Sequence, residues 1–531
     1  MSNISDNKIS FYSIVISFLF LIFISSVVLG NSFLFSNAVS INKFSIIIFP
    51  VISLIISKYI LFKDKKYISW KFLLITLIIF YLIISLLLFV NNFVWDTGYD
   101  SLAYHQEGII RLKDNWNPYL YSTPDINIWV KHYPKAPWIF MASLYKLTGK
   151  IECTKVLSSL LPIILSLLSF GFFYLISNKK LLISLLGSVV LLLNPINISQ
   201  IFTFYVDSIL GIYILTLIII IICILFFKDL IYFKYFTLFN VVVFLVNIKF
   251  TGLAYSIIIL GAFFIYSLIF NNKKYNKKLI IYFLSTFLLS VCFVGFNPYI
   301  TNLINNGNPL YPLIGKGKID IMTTNTPEYF RHENELKKLK DSLLAEPTFE
   351  NELNGGYPAK SIKDLLKIKK GTIELYSTPD ARLRGFGIYS IFIIPISLIL
   401  LIFNFVFLKN KQFKIFSFIL LIFLFGGIFV LGNFWWARYI PFIWGIPVFL
   451  SLIIFKRKYK IEKIIACGLL ILMLINSLIT LPGIIKTKIN WSEDIKNQIL
   501  NQSVINIPEK AFMFSYLNKA KEFNKNYELP K

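Results

Sequence analysis

The chain has 531 residues, of which 56% are hydrophobic and 17% aromatic, and its formal net charge is +26 at pH 7. This apolar content, with repeated apolar runs of about twenty residues, excludes an ordinary soluble protein and predicts many membrane spans. In a soluble protein the positive charge would suggest nucleic-acid binding, but here the lysines cluster in short gaps between apolar runs. Such clustering is typical of cytoplasmic loops beside anionic lipid, so we expect membrane lipids and no nucleic acid as partners.

The apolar runs predict an all-α polytopic membrane protein with about thirteen transmembrane helices, in which residues 1–531 form a single membrane domain. The first run is long for a signal peptide, so we interpret it as a retained span. With a cytoplasmic N-terminus, every lysine-rich gap falls on the cytoplasmic side. Three longer segments then lie outside: a first external loop at 93–154, a second at 298–386 and a C-terminal tail at 483–531. The predicted spans are 11–30, 43–61, 71–92, 155–177, 181–199, 206–227, 236–249, 252–270, 279–297, 387–408, 415–432, 439–455 and 464–482.

Two carboxylates and an imidazole follow the third predicted span, in the stretch Trp95–His105. If this stretch is helical, Asp96 and Asp100 share a face and repel each other mildly. Repulsion and partial burial would raise a carboxylate's pKa toward the range that suits a general base. The alternative is that Asp100 or Ser101 simply caps a short helix. We expect the first external loop to be the catalytic segment of the protein. Its predicted catalytic residues are Asp100, Asp96 and His105.

The rest of the first external loop carries a short amphipathic helix and an aromatic run. Residues 101–114 have Leu102, Ile109 and Leu112 on one side, which predicts a helix lying along the membrane interface. Residues 116–138 are rich in tryptophan, tyrosine and proline. Two interpretations of this run are equally good: an aromatic belt at headgroup depth, and a role in contacting sugar or lipid. On the second interpretation, the substrate-contacting residues are Tyr104, His132 and Tyr133.

Four cations outside the lysine-rich gaps are candidates for binding a phosphate. Arg382 and Arg384 stand beside glycines just before a span, where guanidinium groups, exposed backbone N–H groups and the helix dipole favour an anion. Arg438 lies in a short external turn, where the positive-inside rule does not require a cation. Lys249 lies near the outer half of the membrane, in a turn or at the break of one long helix. The alternatives are a membrane-flanking arginine pair and a snorkelling arginine.

Four short elements resemble the GT-C superfamily of integral-membrane glycosyltransferases, in particular bacterial relatives of the protein mannosyltransferase and aminoarabinose transferase branch. Asp100–His105 is similar to an Asp-Ser-x-x-Tyr-His stretch in that group's first external loop, and Lys249–Leu253 to a Lys-x-Thr-Gly-Leu element between middle spans. Gly307–Pro312 resembles the turn that opens its second large loop, and Arg438–Pro441 a late Arg-Tyr-x-x-Pro element. The Asp-Glu pair of the mannosyltransferase branch is absent here, because serine follows the aspartate.

The resemblance implies a GT-C-like fold, with interfacial helices on two large external loops, and an inverting transfer from a polyprenyl-phosphate-linked sugar donor. The acceptor would be an envelope lipid, a glycan or a protein, at the outer face of a bacterial cytoplasmic membrane. In our hypothesis Asp100 acts as general base, Asp96 or His105 orients it, and the four cations neutralise the phosphate leaving group. No cofactor is firmly predicted. A divalent metal bridging the two aspartates is not favoured, because only two acids are in sight and the cysteines show no metal-type spacing.

Two other functions stay open from the sequence. An O-antigen or polysaccharide polymerase or ligase also has many spans and a large outer loop, and would depend on Arg382, Arg384 and His332 more than on Asp100. A flippase or transporter of lipid-linked oligosaccharides would need charged residues at the bilayer midplane and paired broken helices. The apolar runs carry almost no acid apart from Asp207 near one end, and no two-fold repeat is visible. Sugar transfer is therefore our leading prediction.

Overall fold

The computed structural model of the chain describes residues 3–120, 125–455, 457 and 460–530. Part of the aromatic run, at 121–124, and residues 456, 458 and 459 of the last lysine-rich gap lie outside the described residues. Within the described part, 74% of the chain is helical, which confirms an all-α polytopic membrane protein. Ten helices there are long and apolar enough to cross a membrane: Lys8–Ser36, Ser45–Lys63, Trp70–Phe93, Glu152–Ile176, Asp207–Phe226, Phe250–Phe270, Lys273–Val294, Ser390–Phe407, Lys411–Leu431 and Lys460–Leu500.

Three shorter apolar helices, Leu181–Leu192, Ile231–Val246 and Pro441–Ile454, coincide with the remaining predicted spans. The count of thirteen spans stays a prediction, since these three are shorter than a full crossing. A turn separates the helices on either side of Lys249, where the N–H group of Gly252 donates to the Lys249 carbonyl at 2.7 Å. The carbonyl oxygen of Leu245 also lies where a side chain on Gly252 would begin. The sequence around Lys249 is therefore a tight turn between two helices.

The helices differ in how much of their surface other helices cover. In the most apolar 18-residue stretch of each helix, 83% of Lys8–Ser36 and 94% of Asp207–Phe226 is buried, so these two form the centre of the bundle. In Trp70–Phe93 and Ser390–Phe407 only 28% and 22% is buried, and large apolar side chains are exposed along both. Apolar surface of this extent is stable when it faces lipid and not water.

The N-terminus and two lysine-rich gaps meet at one end of the bundle. Asp64 accepts hydrogen bonds from the first backbone N–H groups of helix Ile231–Val246, at 3.0 and 2.8 Å. Asp229 accepts from the N–H groups of Ile4 and Ser5, at 3.0 and 2.8 Å. Carboxylates at helix N-termini satisfy donors that have no partner within the helix. The N-terminus and these two gaps therefore lie on one side of the bundle, as the predicted topology requires.

The first large loop is folded into short helices. The helix Gln106–Lys113 confirms the helical part of the predicted amphipathic segment, and Ile109 and Leu112 are fully buried. Its apolar side packs within the protein, against the helix Ala136–Thr148. The other short elements of this loop are the π-helical turn Ser101–His105, the helix Ile128–His132 and the 3₁₀ turn Glu152–Thr154.

The second large loop and the C-terminal segment cover the same end of the bundle as the first large loop. In the C-terminal segment, the helix Met513–Glu522 packs on the first loop, where the Ser515 hydroxyl donates to the carbonyl of Leu102 at 2.6 Å. Two short strands, Val504–Asn506 and Asn526–Glu528, pair in parallel beside this helix. The remaining short helices of the described chain are Ile4–Asp6, Pro195–Gln200, Phe296–Ile300, Thr301–Asn306, Met322–Asn325, Glu328–Phe330, Glu335–Leu344, Phe349–Asn354, Ile362–Leu366, Lys370–Ser377, Ala437–Tyr439 and Lys510–Phe512.

Candidate functional site

A cavity of about 1230 Å³ lies between the two large loops. Ligand pockets in proteins commonly measure about 300–1,000 Å³, so this one can hold a large ligand. The wall combines charged and aromatic side chains. Its charged residues are Asp100, Lys249, Lys318, Asp320, Glu352, Asp380, Arg382 and Arg438. Its aromatic residues are Tyr99, Tyr104, Trp129, Tyr133, Tyr205, Phe250, Tyr255, Phe349, Trp436, Tyr439 and Trp491.

Arg438 lies on this wall and contacts three carboxylates, of which those of Asp100 and Asp380 line the cavity and that of Asp207 is buried outside the wall. Its Nη2 is 3.1 Å from Asp100 Oδ2, its Nη1 pairs with Asp380 Oδ1, and its Nε is 3.8 Å from Asp207 Oδ2. The guanidinium carbon also lies 4.8 Å from the ring centre of Trp436, in cation–π contact. Burial disfavours the charge, but the three carboxylates outweigh it and hold the pKa of Arg438 well above its usual value. Arg438 is therefore a fixed cation.

Asp207 connects Arg438 to Lys249. Its Oδ1 accepts from Lys249 Nζ at 2.8 Å, and its Oδ2 accepts from the Gln200 amide at 3.1 Å. Lys249 Nζ also lies 4.6 Å from the ring centre of Tyr439. Burial alone would lower the pKa of Lys249, but the Asp207 carboxylate reverses the effect and raises it. Lys249 is therefore charged, and it is already paired.

The second large loop continues this series of opposite charges. Asp380 Oδ2 lies 3.7 Å from Arg382 Nη2, and Arg382 Nε lies 3.9 Å from Glu352 Oε1. Arg382 also donates to the carbonyl of Asn325 at 3.1 Å and stacks on Trp436 at 4.9 Å. We call the whole series the ion-pair chain, and its members are Glu352, Arg382, Asp380, Arg438, Asp100, Asp207 and Lys249.

Asp100 lines the cavity and is in a position to meet a ligand. Its side chain is 21% exposed and makes no capping hydrogen bond, so the interpretation of Asp100 as a helix cap is wrong. Its backbone N–H donates to the Tyr205 hydroxyl at 3.2 Å. A side chain on Gly98 would begin 2.7 Å from the Tyr205 ring, so glycine permits this close contact. A carboxylate held in this way beside a cavity can accept a proton from a bound hydroxyl.

Asp96 lies apart from Asp100, and the predicted carboxylate pair is wrong. Asp96 precedes the helical turn, is 1% exposed and is outside the cavity wall. Its Oδ1 accepts from the N–H group of Gly98 at 2.8 Å, and its Oδ2 accepts from that of Phe204 at 2.7 Å. Its own N–H group donates to Glu152 at 3.0 Å. Asp96 thus holds the turn that carries Asp100 and has no contact with the cavity.

His105 is also buried outside the cavity wall. It is 1% exposed, and its Nδ1 accepts a hydrogen bond from Trp138 Nε1 at 2.8 Å. Burial lowers the pKa of His105 to about 3, so the imidazole is neutral near pH 7. A neutral ring cannot stabilise the charge of Asp100 as a cation, so the predicted role is corrected to packing against Tyr104 and Trp138.

We expect His105→Gln to reduce the loss of stability that acid causes. The folded-state pKa of about 3 lies below the unfolded value of about 6.5. As the pH falls between these values the unfolded state takes up the proton first, so His105 lowers the unfolding free energy by about 2 kcal/mol at pH ~5 relative to pH ~7.5. Thermal unfolding at both pH values measures this difference. An equal fall in Tm for the wild type and the variant would contradict a buried neutral imidazole.

Arg384 and His132 are buried away from the cavity. Arg384 is 1% exposed, and its guanidinium donates to the backbone carbonyls of Leu365, at 2.8 Å, and Ile388. His132 Nδ1 lies 2.5 Å from Asn302 Oδ1. Because neither side chain faces the cavity, the predicted roles of Arg384 in phosphate binding and of His132 in substrate contact are wrong. The other predicted binding residues that line the cavity are Arg382, Arg438, Lys249, Tyr104 and Tyr133.

Several residues of the ion-pair chain or of the cavity wall were not predicted as site residues. Asp207 gave a signal, because a lone acid in an apolar run is often functional. Asp380 stands two positions before Arg382 and could have been included with it. Tyr205 and Glu352 gave no local signal. No group of three or more His, Cys, Asp or Glu side chains in the described chain is arranged to hold a metal ion.

Comparisons of the chain with protein-family models, with curated proteins and with solved structures find no match. The resemblance to the GT-C superfamily therefore depends on the four short elements. Asp100–His105, Lys249–Leu253 and Arg438–Pro441 each contribute a member of the ion-pair chain. Gly307–Pro312 directly precedes Leu313, which lines the cavity. Elements that are distant in sequence thus share one location.

Proposed function

We propose that this protein is a membrane glycosyltransferase that moves a sugar from a polyprenyl-phosphate-linked donor to an acceptor hydroxyl. The observation that carries the proposal is the meeting of Asp100 and Arg438, 338 positions apart, on the wall of one cavity. A carboxylate can take the proton of an acceptor hydroxyl, and nearby cations stabilise a departing phosphate. The aromatic rings of the wall add flat apolar surface with polar tips, which suits a sugar ring.

In this mechanism Asp100 accepts the proton of the acceptor hydroxyl while the hydroxyl oxygen attacks the anomeric carbon. The bond between that carbon and the phosphate oxygen breaks, and its electron pair stays on the phosphate. Arg438, Arg382 and Lys249 offset the charge that develops there. Attack on the side opposite the leaving phosphate inverts the configuration of the sugar.

The ion pairs set a condition for this mechanism. Arg438 is shared among three carboxylates, so a phosphate has to replace at least one of them. Asp100 and Asp380 are the accessible partners, with side chains 21% and 22% exposed against 4% for Asp207. A phosphate that takes the Nη2 group of Arg438 frees the Asp100 carboxylate for the acceptor. Donor binding would therefore prepare the base.

The lipid part of the donor and the orientation of the site follow from the membrane. Phe250, Tyr255 and Leu431 belong to apolar helices and also line the cavity, so they offer apolar surface to a polyprenyl chain. The lysine-rich gaps favour an orientation with the cavity at the outer face. The resemblance to bacterial transferases favours a bacterial cytoplasmic membrane. The acceptor in this proposal is an envelope lipid, glycan or protein.

Binding of undecaprenyl phosphate to the full chain in nanodiscs tests the donor class. A ligand that binds only the folded state raises the Tm, by the equivalent of about 2.7 kcal/mol at a hundred times its Kd. We expect this shift in the wild type and a much smaller shift in Arg382→Gln, which removes a cation of the wall. Arg331→Gln is the matched control, because Arg331 is exposed in the same loop and outside the cavity wall.

Two outcomes would contradict the proposal. The first is the absence of any shift in the wild type at saturating lipid. The second is lipid binding without consumption of polyprenyl-phosphate monosaccharides, supplied as a panel with envelope extract as acceptor. The second result would favour a flippase, because a flippase binds the lipid and leaves its sugar linkage intact.

A further inference from the structure

The ion-pair chain contains one more acid than it has bases. If all seven residues are ionised, the ion-pair chain carries a net charge of −1 and opposes the entry of an anion. Its four acids are Glu352, Asp380, Asp100 and Asp207, and its three bases are Arg382, Arg438 and Lys249. A site that takes a phosphate therefore has one negative charge to remove.

Glu352 is the last member of the ion-pair chain and has its weakest ion pair. Its Oε1 lies 3.9 Å from Arg382 Nε, whereas Asp100 lies 3.1 Å from Arg438 and Asp207 lies 2.8 Å from Lys249. Its Oε2 accepts from the backbone N–H group of Arg382 at 2.9 Å, which is a neutral donor. Removing the charge of Glu352 thus breaks no close ion pair.

Glu352 is also the buried acid of the cavity wall that lies in the second loop. It is 7% exposed and belongs to the helix Phe349–Asn354, whose other acid, Glu350, is exposed. Burial raises the pKa of Glu352 to about 7, with Arg382 opposing the shift and Asp380 adding to it. The charged residues of the helix packed beside it are Lys370 and Glu374, which lie 3.7 Å apart and pair with each other.

We propose that Glu352 takes up a proton when a dianionic phosphate monoester binds in this cavity, so that phosphate binding and proton uptake are coupled. This inference rests on the proposed function, because the ligand is the leaving group of that reaction. The donor is a phosphodiester with one negative charge, and the released polyprenyl phosphate is a monoester that carries two. The additional charge appears beside Arg382, the residue that contacts Glu352.

Coupling of this kind has a consequence for turnover. Protonated Glu352 leaves three acids and three bases in the chain, so the cations can offset the dianion while the product is bound. When Glu352 returns its proton to water, the ion-pair chain regains its net negative charge. That charge repels the phosphate and favours its release. Glu352 therefore sets the net charge of the ion-pair chain and makes no bond to the reacting sugar.

Titration calorimetry with dodecyl phosphate on the full chain in nanodiscs tests the coupling. Measurements at pH ~8 in two buffers of different ionisation enthalpy give the number of protons taken up. The free ligand is already a dianion there, since the second pKa of a phosphate monoester is about 6. We expect uptake of about 0.5–1 proton in the wild type and in Glu350→Gln, and none in Glu352→Gln. Dodecyl methyl phosphate, a monoanionic diester, should cause a smaller uptake.

The wild type alone provides a second test, which does not depend on how the variant folds. Uptake of one proton makes the Kd of dodecyl phosphate rise about tenfold per pH unit above the pKa of the group. Binding that is independent of pH between about 7.5 and 9 would overturn the inference and leave the proposed donor intact. Proton uptake that persists in Glu352→Gln would assign it to another group and would also overturn it. Absence of binding at every pH would overturn both this inference and the proposed function.

Discussion

Asp100→Asn is expected to abolish sugar transfer and to leave the protein folded and in the membrane. An amide cannot accept the proton of the acceptor hydroxyl, and loss of a general base lowers a rate by about 10²–10⁴-fold. The amide oxygen can still accept from Arg438 Nη2, and Arg438 keeps Asp380 and Asp207 as partners. The effect should therefore be on turnover, while the Tm changes little and undecaprenyl phosphate binds at least as tightly as to the wild type, because a competing negative charge is removed.

Release of polyprenyl phosphate from a labelled donor measures this effect. Asp320→Asn is the matched control, because Asp320 lines the same cavity but lies outside the ion-pair chain and bonds within its own loop, to Met322 and Thr323. We expect its rate to stay within a few-fold of the wild type. Wild-type turnover in Asp100→Asn would remove Asp100 as the base.

The helical membrane architecture could be predicted from the sequence because the bilayer imposes it locally. An apolar run of about twenty residues satisfies its backbone hydrogen bonds within itself, so each span can be recognised without knowing its neighbours. The same reasoning found Lys249 and Arg438, since a cation at the edge of an apolar run is conspicuous. The span count stays a prediction where helices are short, as in Leu181–Leu192, because length alone does not show that such a helix crosses the bilayer.

The site could be predicted only in part, because distant contacts decide the role of each side chain. Asp96 and Asp100 look equivalent in sequence, but Asp96 bonds to the backbone of Phe204, 108 positions away, and is buried. Arg382 and Arg384 are two positions apart, yet one lines the cavity and the other bonds to backbone carbonyls. Local spacing carries no information about such partners. The charge balance of the site likewise became visible only in three dimensions.

Arg438→Met is expected to destabilise the protein by about 3–5 kcal/mol, which is the usual cost of removing one partner from a buried charge cluster. The side chain of Arg438 is 9% exposed, and its loss leaves Asp100, Asp207 and Asp380 without their shared cation. Burial already raises the pKa of Asp380 above its usual value, and losing the Arg438 charge, which opposes that shift, raises it further. The folded state then binds more protons as the pH falls, so the defect should be largest near pH 8 and smaller near pH 5.

Thermal unfolding of Arg438→Met at both pH values measures this effect, and Lys337→Met is the control. Lys337 is 51% exposed and pairs with Glu333 at the surface, where such a pair contributes about 0–1 kcal/mol. The double variant Arg438→Met/Asp380→Asn should recover part of the loss, because it removes one of the stranded charges. A drop in Tm as small as that of Lys337→Met would contradict the buried cluster. If the double variant recovers stability but still fails to bind undecaprenyl phosphate, the charge of Arg438 serves the ligand as well as the fold.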